Sequence, residues 1–231
     1  VCNGCSNHCR LTVNTFGDKG RYIAGNRCEK PLGLPKQKEK FNLFKYKNEL
    51  LGKYRTNERV EGKPTIGIPM ALNMYELLPF WYTLFKKLGF NVIVSPVSTR
   101  KLYLEGQHTI PSDTVCYPAK MVHGHVEALI KEDVDAIFYP SMSYNVDEHL
   151  GDNHYNCPVV AYYPEVIKAN VRDLGSIKFI YDFIGLNNRK YFPKRFGQIL
   201  EKYFGKYPQS AIKAAADAAY AEYEGHMADI R

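Results

Sequence analysis

Residues 65–95, TIGIPMALNMYELLPFWYTLFKKLGFNVIVS, decide the fold. Thr65 to Ala71 is a short apolar run of the kind that forms a strand buried on both faces. Asn73 with Glu76 three positions later reads as a capping box. After it Met74, Leu77, Leu78, Trp81, Leu84, Phe85 and Leu88 recur at helical spacing until Gly89 stops them. Asn91 to Ser95 is then a second strand, and strand, helix and strand in this order form a βαβ unit, which needs a parallel sheet.

The alternation continues toward the C-terminus. Pro118 opens a helix with Val122, Val126, Leu129 and Ile130 on one face, and Ala136 to Tyr139 is a third strand. Pro158 to Tyr162 reads as a fourth strand and Pro164 to Val171 as a short helix. Ile177 to Leu186 suits one more strand, and Tyr191 to Lys206 a helix. From Pro208 an alanine-rich helix runs to the end, with Ile212, Ala215, Ala219, Tyr220 and Tyr223 on a shallow face that suits close docking of another helix. The expected architecture over residues 64–231 is therefore α/β, a mostly parallel, Rossmann-like three-layer sheet. No G-x-G-x-x-G and no Walker loop occurs, so the unit is not expected to hydrolyse ATP alone.

Upstream, Cys2, Cys5, Cys9 and Cys28 form a C-x2-C-x3-C-x18-C pattern. Soft donors this dense suit a thiolate cage whose sulfurs meet within about 4 Å, with zinc as the first candidate and an iron–sulfur cluster as its rival. Leu11 to Phe16 and Arg21 to Ile23 read as two strands about a Gly/Asp turn, a hairpin that carries Cys28 back toward the other three. Disulfides are the competing use of such cysteines. A secreted scaffold would not place only two further cysteines, Cys116 and Cys157, in the following 200 or so residues, and no signal peptide is visible. A chain opening at Val1, one residue before a ligand, also suggests a piece of a longer polypeptide.

The net charge of +7 is unevenly spread: +2 over residues 1–29, +6 over 30–63 and −1 over 64–231. The excess sits in a segment with Pro31, Gly33, Pro35, Gly52 and Gly62, which reads as a basic linker with one amphipathic piece from Phe41 to Leu51. No recognition helix or RNA-binding motif accompanies it, so no specific nucleic-acid partner is expected. No apolar run reaches the roughly 18 residues a bilayer requires, and the expected setting is cytoplasmic. Three parts result: a Cys-rich module over 1–29, a linker over 30–63 and the α/β domain over 64–231.

In such a sheet chemistry gathers in the loops where strands end and helices begin. Cys116 lies two residues before Pro118, where a thiol faces the positive end of a helix dipole and serves as ligand or nucleophile. His123 and His125 stand two apart on one helix, which points them to different faces and suits packing better than shared metal binding. Cys157 enters the expected fourth strand. The loop after Tyr139 offers Ser141 and Ser143 but no cysteine.

The stretch SDTVCYPAKMVHG from Ser112 to Gly124, with DAIFYP from Asp135 and NCPVV from Asn156, resembles a domain of the large bacterial activator-related proteins of the 2-hydroxyacyl-CoA dehydratase system. The opening C-x-G-C-S-N-x-C-x-L with GNRCEK from Gly25 resembles the segment that precedes it there, so the likeness covers most of residues 1–170. It implies a place in ATP-driven, low-potential electron transfer. An actin-like ATPase domain elsewhere in the parent chain and a dehydratase or reductase subunit would be the partners. It also implies Cys116 and Cys157 as candidate ligands of a [4Fe–4S] cluster. Two thiolates leave a cubane incomplete, so either a ligand lies beyond Arg231, a non-cysteine group or substrate fills the gap, or the site has been lost, and the chain is not expected to be an active enzyme alone. Two other readings stay open: an assembly module with a structural zinc site, and a thiol-dependent enzyme with Cys116 as nucleophile, for which no base is evident.

Overall fold

Short apolar runs bounded by turn residues become strands, and longer periodic segments wrap around them. The computed structural model describes residues 1–5, 7–33, 41–149 and 151–231. The part of the expected linker at 34–40 lies outside the described residues. The chain divides into two units, Val1–Phe44 and Lys45–Arg231.

In the first unit β1 (Thr12–Thr15) pairs antiparallel with β2 (Arg21–Ala24), Thr12 facing Ala24 and Thr15 facing Arg21. Gly25 follows at φ +80, where a Cβ would stand 2.5 Å from the Arg10 carbonyl oxygen, so only glycine lets the chain leave the hairpin there. Both strands are exposed along almost their whole length. The hairpin thus holds its shape by backbone pairing with almost no apolar core.

The second unit is built on four parallel strands in the order β4-β3-β5-β6: β3 (Thr65–Ile68), β4 (Asn91–Val94), β5 (Ala136–Phe138) and β6 (Lys178–Ile180). Its helices are α1 (Leu43–Gly52), α2 (Asn73–Glu76), α3 (Leu78–Lys87), α4 (Arg100–Gly106), α5 (Tyr117–Lys131), α6 (Pro158–Asn170), α7 (Phe192–Phe204) and α8 (Gln209–Ile230). α3 packs on α8 and α8 on α7, while α5 packs on α4 and α6. With right-handed crossovers this places α3, α7 and α8 on one face of the sheet and α4, α5 and α6 on the other. The expected three-layer α/β fold and the N-terminal hairpin are both present. Among the described residues no helix is long and apolar enough to cross a membrane.

Two elements depart from expectation. Residues 158–162 are not a strand: they open α6, which runs to Asn170 and absorbs the short helix expected from Pro164. Pro158 sits in the first turn, where a missing N–H costs nothing and the fixed φ suits a helix. The fourth strand is β6 instead. The single helix expected after Asn73 is two, because Pro79 cannot continue the hydrogen-bond ladder of α2 and α3 starts afresh. Nor does Asn73 cap: Leu72, at φ 52, precedes the helix without a side-chain bond.

The core of the α3 face is aromatic. Trp81 stands 4.7 Å and Phe85 5.0 Å from Phe138, and Phe80 4.8 Å from Tyr220, with ring edges meeting ring faces in most of these contacts. The segment before β3 is tied down by polar groups. Asn91, 2% exposed, accepts from Val60 N at 2.9 Å and donates to Val60 O and Lys63 O at 2.9 and 3.2 Å. Replacing Asn91 with alanine strands these buried main-chain groups, and urea unfolding should show a loss of about 2 kcal/mol. A loss near zero would mean that water replaces the amide freely.

On the other face α4 and α5 touch backbone to backbone. A methyl at Gly106 would lie 2.7 Å from Gly124 Cα, and one at Gly124 would lie 2.7 Å from the Leu102 carbonyl carbon. This contact fixes where α5, and the loop leading into it, can lie.

Candidate functional site

In the first unit Cys2 N donates to Cys9 O at 2.8 Å, His8 N to Cys5 O at 3.4 Å and Gly4 N to the Cys2 Sγ at 3.4 Å. The chain beyond Cys28 comes back to this loop, since Lys30 Nζ reaches Gly4 O at 3.4 Å. Cys2, Cys5, Cys9 and Cys28 are all free thiols. Among the described residues, however, no group of three or more His, Cys, Asp or Glu side chains stands in position to hold one metal. The backbone return that would carry Cys28 toward the other three cysteines is present.

The second unit places its two cysteines alike. Cys116 is the N-cap of α5 and Cys157 the N-cap of α6, both in extended backbone conformation and each followed by a proline in the first turn. Cys157 Sγ accepts from Val160 N at 3.4 Å, an amide-to-sulfur bond in the place where a serine hydroxyl would cap. Ala119 N and Lys120 N bond back to Cys116 O at 3.1 and 3.2 Å. Both thiols are exposed.

Topology brings the pair to one rim. α5 feeds β5 and runs against it, so its N-terminus lies over the carboxyl ends of the strands; α6 follows β5 and starts from the same edge. The two helices pack against each other, and packed helix axes stand about 8–10 Å apart. Between β5 and α6 the chain makes an excursion and returns. Tyr144 pairs antiparallel with Tyr155, Asn145 N donates to His154 O and Asn156 N to Ser143 O, both at 2.9 Å, and Asn156 Nδ2 reaches Met142 O at 2.8 Å. That closed base delivers Cys157 to the sheet edge. The strand once expected after Cys157 would have sent it the other way.

Beneath the two caps lies a buried polar layer. Phe138 points its ring at Trp81, Phe85 and Phe196 on the α3 face, so Tyr139, next along the strand direction, turns toward α5 and α6. Tyr139 is 0% exposed and its hydroxyl has no hydrogen-bond partner. Burial first, then the neighbouring Tyr163 phenol and the Cys116 and Cys157 thiols, push its proton loss far above the ordinary phenol range. It is therefore a proton donor at any working pH.

Beside it, Thr109 Oγ1 donates to Gly106 O at 2.9 Å and meets His123 Nδ1 at 2.7 Å. With its proton thus committed, the threonine oxygen accepts from Nδ1–H. Nε2 then carries the lone pair, and the Tyr163 hydroxyl donates to it at 3.0 Å. Burial, reinforced by His108, lowers His123 to about 4, and burial, reinforced by Cys116, raises Tyr163 to about 12. His125, on the adjacent side of α5, is clasped by Ser95 at 2.8 Å and Ser98 at 2.9 Å, and burial followed by the charge of Arg55 lowers it to about 4. Both histidines pack, as their spacing implies.

The strand order reverses between β3 and β5, and further unsatisfied groups lie past the ends of the strands, Asn73 at that crevice and Ser141 on the β6 side. Asn73 donates to the Met142 sulfur at 3.1 Å and leaves Oδ1 without a partner. Ser141, 0% exposed, has an unpartnered Oγ and lines a cavity of about 350 Å3 with Phe183, Asn187, Tyr191 and Arg195. The second unit itself contains no third cysteine. The polar layer was not anticipated from the sequence, although strand alternation from Phe138 would have aimed Tyr139 correctly.

A family model described as "CoA enzyme activase uncharacterised domain" matches residues 65–231, the whole sheet and all its helices except α1. No curated protein and no solved structure matches the chain.

Proposed function

The chain belongs to the CoA enzyme activase uncharacterised-domain family, and from that premise we propose that its α/β unit serves ATP-driven, low-potential electron transfer through iron–sulfur chemistry. Cys116 and Cys157 would hold one side of a cluster. The observation that carries this reading is the matched pair of exposed cysteines at the N-cap positions of two neighbouring helices, Cys157 with its sulfur bonded to the helix and Cys116 with its sulfur free of any capping bond. Helix N-termini favour the negative charge of thiolates and of the cluster they ligate.

The donor set fits such a group in part. It offers two exposed soft ligands at the heads of packed helices, and the remaining ligands would come from a partner domain or a dehydratase-like subunit, with ATP consumed by an actin-like ATPase domain. When bound, the cluster supplies a one-electron store. The chain's own residues position the two thiols, through the Gly106–Gly124 contact for one and the closed base at Asn156 for the other, and exclude water below them with the Tyr139 and Tyr163 rings. Cys2, Cys5, Cys9 and Cys28 would form a separate thiophilic site, for zinc or for a second cluster.

Anaerobic reconstitution with iron and sulfide tests the reading. Protein carrying Cys2→Ser, Cys5→Ser and Cys9→Ser should take up iron and sulfide when a small thiol is present to fill the open positions, and lose them on gel filtration without it. Cys116→Ser or Cys157→Ser should abolish the uptake. Stoichiometric zinc with no iron in the parent protein, its N-terminal cysteines intact, would instead make the chain an assembly module.

A further inference from the structure

The Tyr139 hydroxyl is a buried donor with no acceptor, and such groups are costly unless something absent from the free chain pairs with them. Its position limits what that can be. Phe138 fixes the alternation that sends the Tyr139 ring under α5 and α6, and the two N-cap thiols stand at the head of those helices. The other phenol in the layer is already committed, because the Tyr163 proton goes to His123 Nε2. Neither Tyr163 nor any other described group accepts from Tyr139.

We propose that the Tyr139 phenol is the hydrogen-bond donor to a thiolate-bound soft metal centre seated between Cys116 and Cys157. The inference rests on the reading of those two cysteines as ligands and adds the partner that orients and tunes them. Hydrogen bonds onto ligated sulfur stabilise the more negative state of a centre and so raise its reduction potential. The role needs the proton rather than the ring, which separates Tyr139 from a packing residue: phenylalanine fills the same space and removes only the unpartnered hydroxyl.

The test uses Cd2+ as the probe, on the full chain with Cys2, Cys5, Cys9 and Cys28 changed to serine, so that Cys116 and Cys157 are the remaining thiols. Cadmium binding is followed by its thiolate charge-transfer absorbance. Tyr139→Phe should weaken the affinity about tenfold or more, while the melting temperature without metal stays level or rises slightly. Equal affinity in both proteins overturns the inference and leaves the ligand reading intact. Binding that survives Cys116→Ser overturns both. A metal-free melting temperature several degrees below that of the parent would show that the hydroxyl serves the fold and overturn the inference.

Discussion

Gly124→Ala is expected to destabilise the α/β unit by about 3 kcal/mol or more, the range of severe overpacking. The methyl would overlap the Leu102 carbonyl oxygen and stand 2.7 Å from its carbon, so no side-chain rotation relieves it. α4 and α5 must part along their main chains. In a unit of this size each kcal/mol moves the midpoint by roughly 2–4 °C, so thermal melts followed by circular dichroism should fall by roughly 6–12 °C. Gly106→Ala should act alike, and the double variant should cost less than the sum, since one separation accommodates both methyls. A melt within a degree or two of the parent would mean that the helices are not in backbone contact in solution.

The second large effect is acid lability set by His123 and His125. Both are fully buried and both are lowered to about 4, while an unfolded histidine titrates near 6.5. Between these values the unfolded chain binds protons that the folded chain refuses, so stability is complete above about pH 6.5 and falls as the pH drops toward 4. The loss approaches about 3 kcal/mol for each ring. Around His123 stand Thr109 and Tyr163, with His108 adding repulsion; around His125 stand Ser95 and Ser98, with Arg55 doing the same. Glu127 on the same helix works against the trend, because burial raises its carboxyl. Urea unfolding at pH 7 and pH 5 should differ by about 4 kcal/mol, and His125→Gln should remove about half of that difference whatever its own stability. A flat profile between pH 6.5 and 5 would contradict the buried, neutral state of both rings.

Much of the fold was legible because hydrophobic period is a local property. The run from Thr65 to Val94 declares strand, helix and strand without reference to the rest of the chain, and Pro118 declares the start of α5. The misreading at Pro158 has an equally local cause. Pro-Val-Val-Ala-Tyr is too short to separate a buried strand from the first turn of a helix, and Pro164 looks like a new start although it lies inside α6. The two cysteines could be picked out by residue type and by the proline after each. What they stand on could not, because the vacancy of the Tyr139 hydroxyl depends on Tyr163, His123 and Thr109, brought together from α6, α5 and the loop before it.

The excursion from Ser143 to Asn156 has a further consequence for what reaches this rim. Its base is locked by main-chain bonds on both sides of the Tyr144–Tyr155 pair, which sets where the chain re-enters at Cys157. The arm is also anchored outward, since Val146 packs on the core and Glu148 meets Arg231 at 3.1 Å, so its outer turn couples the rim to the end of α8. A change at the C-terminus of α8 would therefore be felt at the arm that leads into Cys157.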